Sequence, residues 1–193
     1  MAPPLHVAFA GGATGPWRVD RLEAERGRNL PLVERLSVIE GGDAVPPETA
    51  AWVLRGVMSN ERYVTRAEHD ALAERQQPLG RPESTRAALI PIRKTDQWWD
   101  LSQDERRAIF EERSRHVGIG LEYLPAVARR LHHCRELGEP FDFLTWFEYA
   151  QTDAKAFEEL VARLRETEEW TYVEREIDIR LTWEAEGRQH LHS

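Results

Sequence analysis

Residues 141–150, FDFLTWFEYA, carry the pattern that decides the fold of this chain. Successive side chains of a strand point to opposite faces of a sheet. The segment therefore predicts a strand with two different faces, one formed by Phe141, Phe143, Thr145 and Phe147 and the other by Asp142, Leu144, Trp146 and Glu148. Residues 126–134, AVARRLHHC, alternate in the same way, and the turn-forming letters RELGEP separate the two runs. This combination is typical of a β-hairpin.

A strand is predicted on either side of this hairpin. Residues 87–92, AALIPI, form a short apolar run typical of a buried strand. Pro91 suggests a bulge or an edge position there, because proline has no N–H to donate to a neighbouring strand. Residues 170–183, WTYVEREIDIRLTW, predict the closing strand, with four apolar residues as contributors to the core: Val173, Ile177, Ile179 and Leu181.

Two helices are predicted between these strands. Ser102 and Glu105 have the spacing of a capping box, in which each side chain bonds to the backbone N–H of the other residue, and DERRAIFEERSRHVG follows. Asp153 can cap a second helix, AKAFEELVARLRE. The resulting order β-α-β-β-α-β is that of a ferredoxin-like unit. We therefore expect an α+β fold whose ferredoxin-like C-terminal half spans residues 81–185.

Residues 1–80 predict a shorter, related N-terminal half of the same kind. Four extended segments, HVAFA, WRVDRLEAE, LVERLSVIE and AWVLRGVMS, precede a helix signal in which Thr65 and Glu68 have capping-box spacing. That helix should end by Pro78, and QQPLGRPES is typical of a loop. Residues 186–193, which contain HLHS, are expected to form a flexible tail.

Composition argues against several kinds of partner and location. The chain has 193 residues, which is long enough to bury a core without disulfides, and its single Cys134 cannot form an internal one. The cysteine count therefore leaves the redox compartment open, with a reducing cytoplasm as the default expectation. The formal net charge of -8 argues against nucleic acid as a partner. Neither a secretory signal nor an apolar run long enough to cross a bilayer is recognised, so no membrane association is predicted.

Two adjacent tryptophans follow a lysine in residues 92–101, IRKTDQWWDL. In an extended segment Trp98 and Trp99 would face opposite ways, so the two indoles cannot easily both be core residues. From these residues alone, the simplest interpretation is a surface lysine, Lys94, beside a tryptophan that packs on the following helix.

Three ionisable residues are candidates for a metal-binding site. His116 lies at the end of the first predicted helix of the C-terminal half, Arg129 near the start of the next strand, and Glu169 just before the last strand. A carboxylate that accepts the imidazole Nδ1–H fixes the tautomer and raises the basicity of Nε2 toward a metal. Spacing does not establish such a pair, because a histidine at a helix end usually interacts with carbonyl groups or the helix dipole. Arg129 and Glu169 are by default solvated charges.

The run His132, His133 and Cys134 invites a second metal-site interpretation. On a strand, however, His132 and Cys134 would share one face and His133 would take the other. Structural roles are therefore the expectation for all three residues.

Residues 85–150, from TRAALIPI to FLTWFEYA, closely resemble the haem-dependent chlorite dismutases, in particular their short, dimeric branch. The resemblance is strong from about Trp52 to Leu181 and weaker toward the N-terminus. It implies a dimeric α+β barrel, a homodimer, and haem b as the cofactor. It also implies a role for each matching position: His116 as the axial ligand of the iron, Glu169 as the partner of its other ring nitrogen, Arg129 on the distal side of the iron, Lys94, Trp98 and Trp99 in the haem pocket, and Gln76 near the distal entrance. In that pocket Lys94 would pair with a haem propionate, and one indole would pack on the porphyrin edge and the other on protein.

The reaction that the resemblance implies is conversion of chlorite to chloride and molecular oxygen. His116, backed by Glu169, would supply electron density to ferric iron, and O–Cl cleavage would give hypochlorite and a ferryl-type oxo species. Arg129 would hold the hypochlorite until the two recombine, while Leu124 and other apolar groups keep the distal pocket dry. Two other functions stay open: a coproheme decarboxylase, which the distal arginine disfavours, and a non-enzymatic haem carrier or sensor on the same scaffold.

Overall fold

A computed structural model describes residues 3–42, 45–58 and 65–184. In this part of the chain, eight strands form one closed barrel in the order β1-β3-β2-β8-β5-β7-β6-β4. Neighbouring strands pair in the antiparallel sense. The strands are β1 (His6–Gly12), β2 (Trp17–Arg26), β3 (Arg35–Glu40), β4 (Trp52–Met58), β5 (Arg86–Lys94), β6 (Val127–His133), β7 (Phe143–Tyr149) and β8 (Val173–Trp183).

The hairpin predicted from the opening stretch is confirmed in its pairing and, within β7, in its two faces. Phe141, which was predicted to share the face of Phe143, instead lies before β7 and joins the core inside the barrel. β6 pairs antiparallel with β7. The even-numbered side chains Leu144 and Trp146 of β7 join the core inside the barrel. Its odd-numbered side chains Phe143, Thr145 and Phe147 line a cavity on the other face.

Two hydrophobic cores hold this arrangement together. The first fills the barrel and includes Phe9, Leu36, Leu89, Ile177 and Ile179. The second lies between the outer face of the sheet and the helices, and includes Ile90, Ile119, Phe147, Phe157, Leu160 and Trp170. Burying one such large side chain contributes about 1.5–3 kcal/mol, so both faces of β5 and β7 stabilise the fold.

The helices among the described residues are α1 (Arg66–Arg75), α2 (Asp96–Asp100), α3 (Gln103–Arg107), α4 (His116–Glu122) and α5 (Ala154–Arg165). Both predicted capping boxes are confirmed, at Thr65 with Glu68 and at Ser102 with Glu105. Helix α5 begins directly after Asp153 as predicted, although the Asp153 side chain makes no capping hydrogen bond to the described residues.

The single helix predicted after Ser102 is broken into three pieces. After α3, residues 108–113 form a π-helical turn, and Arg115 then adopts a left-handed backbone conformation with φ 52°. His116 is consequently the first residue of α4, not the last residue of a longer helix. Left-handed backbone is unfavourable for a residue with a Cβ, so tertiary contacts must stabilise this break.

The prediction for Pro91 is wrong on both points. β5 lies between β7 and β8, so Pro91 is not on an edge strand. The irregularity in the pairing of β5 with β8 falls between Arg93 and Lys94, not at the proline. No residue of β8 is paired with Pro91. The N–H group that proline lacks is therefore not needed for a hydrogen bond to β8.

Strands from both predicted halves of the chain share the barrel. They join where β2 pairs with β8 and where β4 pairs with β6. The division near residue 80 stays a prediction, and the tail predicted at residues 186–193 lies outside the described residues. Within the ranges that the structure describes, no helix is long and apolar enough to cross a membrane.

Candidate functional site

A cavity, called here the apolar cavity, lies between β5, β6 and β7 on one side and α4 and α5 on the other. Its empty volume is about 1200 Å³, including the solvent at its mouth. Most of its lining is aliphatic or aromatic. The acidic, basic and imidazole side chains that reach it are Lys94, His116, Arg129, His133, Glu169 and Glu176. A mostly apolar pocket with a few convergent polar groups is typical of a ligand-binding site.

His116, Glu169 and Lys94 form one hydrogen-bonded chain at this cavity. The Nδ1 atom of His116 lies 2.7 Å from Oε2 of Glu169, and Nζ of Lys94 donates to Oε1 of the same carboxylate at 2.6 Å. The backbone N–H of Glu169 donates to Oγ of Ser114 at 2.9 Å, which helps to fix the position of Glu169. The Lys94 side chain is only 5% exposed and that of His116 19%. The carboxylate is therefore shared between an ammonium and an imidazole.

Burial and neighbouring charges shift the pKa values of Glu169 and Lys94 in opposite directions. Burial alone would raise the pKa of Glu169, but the Lys94 ammonium and His116 outweigh it and lower the pKa to about 2. Burial lowers the pKa of Lys94, and the attraction of the Glu169 carboxylate limits that shift. Glu169 is therefore an anion at neutral pH. An imidazole whose Nδ1–H is held by an anion presents Nε2 as the nitrogen that can bind a metal.

The break before α4 positions the imidazole of His116. Glu111, in the π-helical turn, accepts hydrogen bonds from the backbone N–H of Val117 at 2.8 Å and of the next residue at 3.3 Å. The start of a helix leaves such N–H groups without an intrahelical partner, so this carboxylate stabilises the new helix start. Phe110 stacks on the imidazole, with ring centroids 4.5 Å apart and an interplanar angle of 23°. The ring is thus held on its face as well as at Nδ1.

The structure places Lys94 differently from the role expected for it. The family resemblance implied a lysine that pairs with a propionate of the haem. Its ammonium is instead bonded to Glu169 and lies 3.6 Å from the ring centroid of Trp98, and its backbone N–H donates to Asp142 at 2.7 Å. A buried ammonium that already pairs with a carboxylate is poorly placed to neutralise a second one.

The two tryptophans are helical neighbours rather than opposite side chains of an extended segment. Both belong to α2, where successive residues are turned by about 100°. Trp98 is buried and lines the apolar cavity. Trp99 lies behind the cavity wall, stacked on Phe143 at 6.0 Å, and its Nε1–H donates to Asp142 at 3.2 Å. Only one of the two indoles therefore reaches the cavity.

Arg129 and Leu124 line the same cavity as His116. Arg129 lies on β6 between Val127 and Leu131, which point to the same face of the strand and also line the cavity. Gln76 follows α1, and its Nε2 donates to the backbone oxygen of Arg129 at 2.8 Å. The residue expected near the entrance thus contacts the strand that carries Arg129, although its own side chain lies outside the cavity lining.

His132 and Cys134 are buried away from the apolar cavity, whereas His133, between them in sequence, lines it. His132 is buried in the barrel core, its Nδ1 lies 2.9 Å from the Leu144 oxygen, and burial lowers its pKa to about 4. Cys134 is buried as well, and its thiol donates to a backbone oxygen. His133 lines the apolar cavity, which the sequence interpretation missed. The alternation of β6 could have shown this, because His133 shares the face of Arg129.

Comparison with known proteins gives the family. A sequence profile of the family described as chlorite dismutase matches residues 45–183. The chain belongs to the chlorite dismutase family. The crystal structure of a dimeric chlorite dismutase from Nitrobacter winogradskyi is 55% identical in sequence, with a TM-score of 0.84 and coverage of 91% of this chain and 99% of that chain.

More distant chlorite dismutases are also similar. The chlorite dismutase of Ideonella dechloratans is 34% identical over 86 residues, a match that spans 45% of this chain but only 28% of that relative's length. A mutant chlorite dismutase from Candidatus Nitrospira defluvii in complex with cyanide is 20% identical, with a TM-score of 0.61 and coverage of 92% of this chain and 90% of that chain. The last similarity shows that the fold is shared.

Proposed function

We propose that this chain binds haem b in the apolar cavity, with His116 as the axial ligand, and converts chlorite to chloride and molecular oxygen. The proposal rests on the hydrogen bonds that link Lys94 through Glu169 to His116 at the wall of the apolar cavity. Arg129 lines the same cavity. Membership of the chlorite dismutase family supports the choice of reaction.

The lining of the cavity fits a haem group. A porphyrin is a flat, largely apolar ring system, and the aromatic lining residues Trp98, Phe110, Phe143 and Phe147 can pack against it. His116 has the donor chemistry of an axial ligand, because Glu169 occupies its Nδ1. When bound, haem would supply the redox-active iron needed to break the O–Cl bond of chlorite.

Glu169 and Lys94 set the electron-donating strength of His116. The anionic carboxylate accepts the Nδ1–H and raises the basicity of Nε2. Lys94 bonds to the same carboxylate, so it withdraws part of that negative charge from the imidazole. The pair therefore adjusts how strongly His116 stabilises the oxidised form of a bound metal.

Arg129 supplies the positive charge for the substrate anion. Its guanidinium stays protonated at every physiological pH, so it needs no proton transfer to attract chlorite. Its neighbours on the strand, Val127 and Leu131, are apolar, and Leu124 lines the same cavity. In such a poorly polarisable environment the attraction between cation and anion is stronger than in water. Arg129 thereby orients chlorite and retains the chlorine oxyanion formed from it.

The proposal also covers the type of fold, the homodimer and the cellular location. We interpret β5 to β8, which occur in the order β8-β5-β7-β6, together with their helices as a ferredoxin-like unit, and β1 to β4 as its shorter relative. The relative with 55% identity is described as dimeric, which supports a homodimer. The single buried Cys134 supports a cytoplasmic location.

An oxygen electrode tests the proposed reaction. The purified protein is loaded with haem, its absorption spectrum is recorded, and chlorite is added. We expect oxygen to evolve in proportion to the chlorite consumed, with chloride as the other product. Haem uptake without oxygen evolution would contradict the proposed reaction and favour a haem carrier or sensor. Loss of propionate carboxyl groups from coproheme on addition of peroxide, without oxygen from chlorite, would favour the decarboxylase.

A further inference from the structure

Three tryptophans, Trp146, Trp17 and Trp183, form a row of touching rings, called here the tryptophan row. The ring centroids of Trp146 and Trp17 are 5.3 Å apart, and those of Trp17 and Trp183 are 5.0 Å apart, both edge to face. The exposed fraction rises along the row, from 1% at Trp146 through 6% at Trp17 to 45% at Trp183. The row therefore connects the interior of the barrel with its surface.

The buried end of the row lies next to the apolar cavity. Trp146 stands on β7 between Thr145 and Phe147, and both of these neighbours line that cavity. The Trp146 side chain takes the opposite face of the strand, so one thickness of the sheet separates it from the cavity. A group bound in the cavity is therefore close enough to exchange electrons with this indole.

The carboxylate of Glu148 is bonded to the indole N–H of Trp146 and favours oxidation of this ring. Its Nε1–H donates to Oε1 of Glu148 at 2.9 Å, while Oε2 of Glu148 accepts from the backbone N–H of Gly80 at 2.7 Å. The Glu148 side chain is buried. An anion at the indole N–H stabilises the positive charge that oxidation creates on the ring, and it can accept the indole proton. Oxidation of Trp146 is thus easier than that of an indole without such a partner.

The whole row lines a second cavity, on the face of β7 opposite to the apolar cavity. Its empty volume is about 1120 Å³ including its opening, and all three indoles contribute to its wall. Two buried polar atoms of its lining, Oγ of Ser84 and Nε of Arg81, have no hydrogen-bond partner within residues 3–42, 45–58 and 65–184. Buried polar atoms are rarely left unpaired, so these two can be satisfied by a ligand with hydroxyl groups.

We propose that the second cavity binds a small hydroquinone and that the tryptophan row carries its electrons to the oxidised haem centre. The inference rests on the proposed haem function. An aromatic ring packs well against indoles, and a phenolic hydroxyl can both donate and accept a hydrogen bond. The charged lining residues comprise two cations and two anions, which suits a neutral ligand: Arg81, Arg130, Glu40 and Glu148.

The electrons and protons of this step balance with peroxide as the oxidant. One hydrogen peroxide takes up two electrons and two protons in the apolar cavity, its O–O bond breaks, and it leaves as two water molecules. One hydroquinone gives up two electrons, singly, to the tryptophan row, which passes them on through Trp146. It also releases two protons to solvent and becomes the quinone. Each indole is oxidised and reduced again, so the protein is unchanged at the end.

Spin trapping tests the row without relying on turnover. The haem-loaded protein is treated with peroxide and a nitroso spin trap, and the trapped positions are identified by peptide mass spectrometry. In the wild-type protein the adduct should form at Trp183, and hydroquinone should suppress it. Trp17→Phe interrupts the row, so the adduct at Trp183 should be lost. Trp52→Phe is the matched control, because Trp52 lies on β4 with its Nε1–H bonded to the Pro31 oxygen, and it should leave the adduct in place.

A second variant covers the case in which Trp17→Phe does not fold. Trp183→Phe alters a half-exposed position, and the adduct should then move back to Trp17. An adduct at Trp183 that persists in Trp17→Phe, or one that moves from Trp183 to Trp52, would overturn the row while leaving the proposed function intact. Failure to take up haem would refute both.

Equilibrium dialysis tests the cavity. The haem-loaded protein should bind hydroquinone saturably, and Ser84→Val should weaken that binding because a buried hydroxyl partner is removed. The same variant should keep the adduct at Trp183, since the row is intact. Equal binding of hydroquinone by the wild-type protein and Ser84→Val would contradict the assigned ligand site.

Discussion

Two sets of ionisable groups line the apolar cavity and differ in how they are held: Lys94, Glu169 and His116, called here the rigid side, and Arg129, called here the Arg129 side. On the rigid side Lys94, Glu169 and His116 are joined by short hydrogen bonds and fixed further by stacking and backbone contacts. On the Arg129 side, Arg129 lies on β6 with Val127 and Leu131 on the same face of the strand, and Gln76 donates a hydrogen bond to its backbone oxygen. The rigid side is a hydrogen-bonded network, and the Arg129 side presents a cation on a mainly apolar wall.

This difference corresponds to two different tasks. A permanent metal ligand must keep one orientation, and the network around His116 restricts both the plane of its ring and its tautomer. A substrate anion must enter and its products must leave, so a cation on a mainly apolar wall attracts the anion without enclosing it. We expect substitutions on the rigid side to change the cofactor, and substitutions on the Arg129 side to change substrate turnover.

The largest effect is expected from His116→Ala. Without its imidazole the variant lacks the ligand proposed for the iron, so it should fail to retain haem during gel filtration. The absorbance of bound haem relative to protein measures the result. His69→Ala, at an exposed histidine on α1, is the control and should retain haem. Full haem retention in His116→Ala would contradict its place as the ligand.

Arg129→Ala should separate the two sides most clearly. The variant should bind haem normally, yet its kcat/KM for chlorite should fall about tenfold or more, because a hydrogen bond to a charged group contributes about 1.5–3 kcal/mol. It should also be inactivated after fewer turnovers, since the oxidant escapes more readily. Initial rates at the oxygen electrode measure both effects, with Arg55→Ala on β4 as an exposed control. Unchanged rate and lifetime would remove Arg129 from the mechanism.

Substitutions at Glu169 and Lys94 should shift the reduction potential of bound haem in opposite directions. Glu169→Gln removes the negative charge behind His116, so the potential should rise. Lys94→Met removes the cation that competes for this carboxylate, so the potential should fall. Each shift should be on the order of 60 mV, which corresponds to a tenfold change in a one-electron equilibrium. Spectroelectrochemical titration measures both, with Arg93→Met as an exposed neighbour control, and shifts of the same sign would contradict the shared carboxylate.

The rigid side should also affect stability in acid. The pKa of Glu169 is lowered in the folded protein to about 2, against an ordinary value of 4.5. Its ionised form therefore stabilises the fold fully above pH 4.5, and this contribution is lost as the pH falls from 4.5 toward 2. The free energy of unfolding of Glu169→Gln should depend less steeply on pH in that range. Urea unfolding at several pH values measures it, and parallel curves for the two proteins would argue against the ion pair.

The smallest effect is expected from Gln76→Ala. The variant loses one hydrogen bond to the Arg129 backbone, while the guanidinium stays in the cavity. Chlorite turnover should fall by no more than about fivefold, since one neutral hydrogen bond contributes about 1 kcal/mol. Steady-state kinetics measures the change. A loss as large as that of Arg129→Ala would show that Gln76 takes part directly.

Much of the barrel could be predicted from local sequence patterns. The alternation in residues 141–150 predicted both faces of β7, because a period of two is visible in any strand with one face against a core. The capping boxes at Ser102 and Thr65 were equally readable, since both partners lie within four residues. These features depend on neighbours along the chain.

The arrangement of the site depends on contacts that the sequence does not show. Lys94 and Glu169 are 75 residues apart, so their pairing could not be distinguished from two separate surface charges. The helix break before His116 depends on the carboxylate of Glu111, which reaches past the π-helical turn to the start of α4. Helix periodicity alone predicted an unbroken helix there.

The resonance Raman frequency of the iron–histidine stretch is the sharpest measurement of whether His116 binds the iron under the control of Glu169 and Lys94. The ferrous, haem-loaded protein should show this band, because His116 is proposed to bind the iron through Nε2. The frequency should decrease in Glu169→Gln, where the imidazole loses its anionic partner, and increase in Lys94→Met. A wild-type protein without the band, or a band that stays at the same frequency in both variants, would contradict the account.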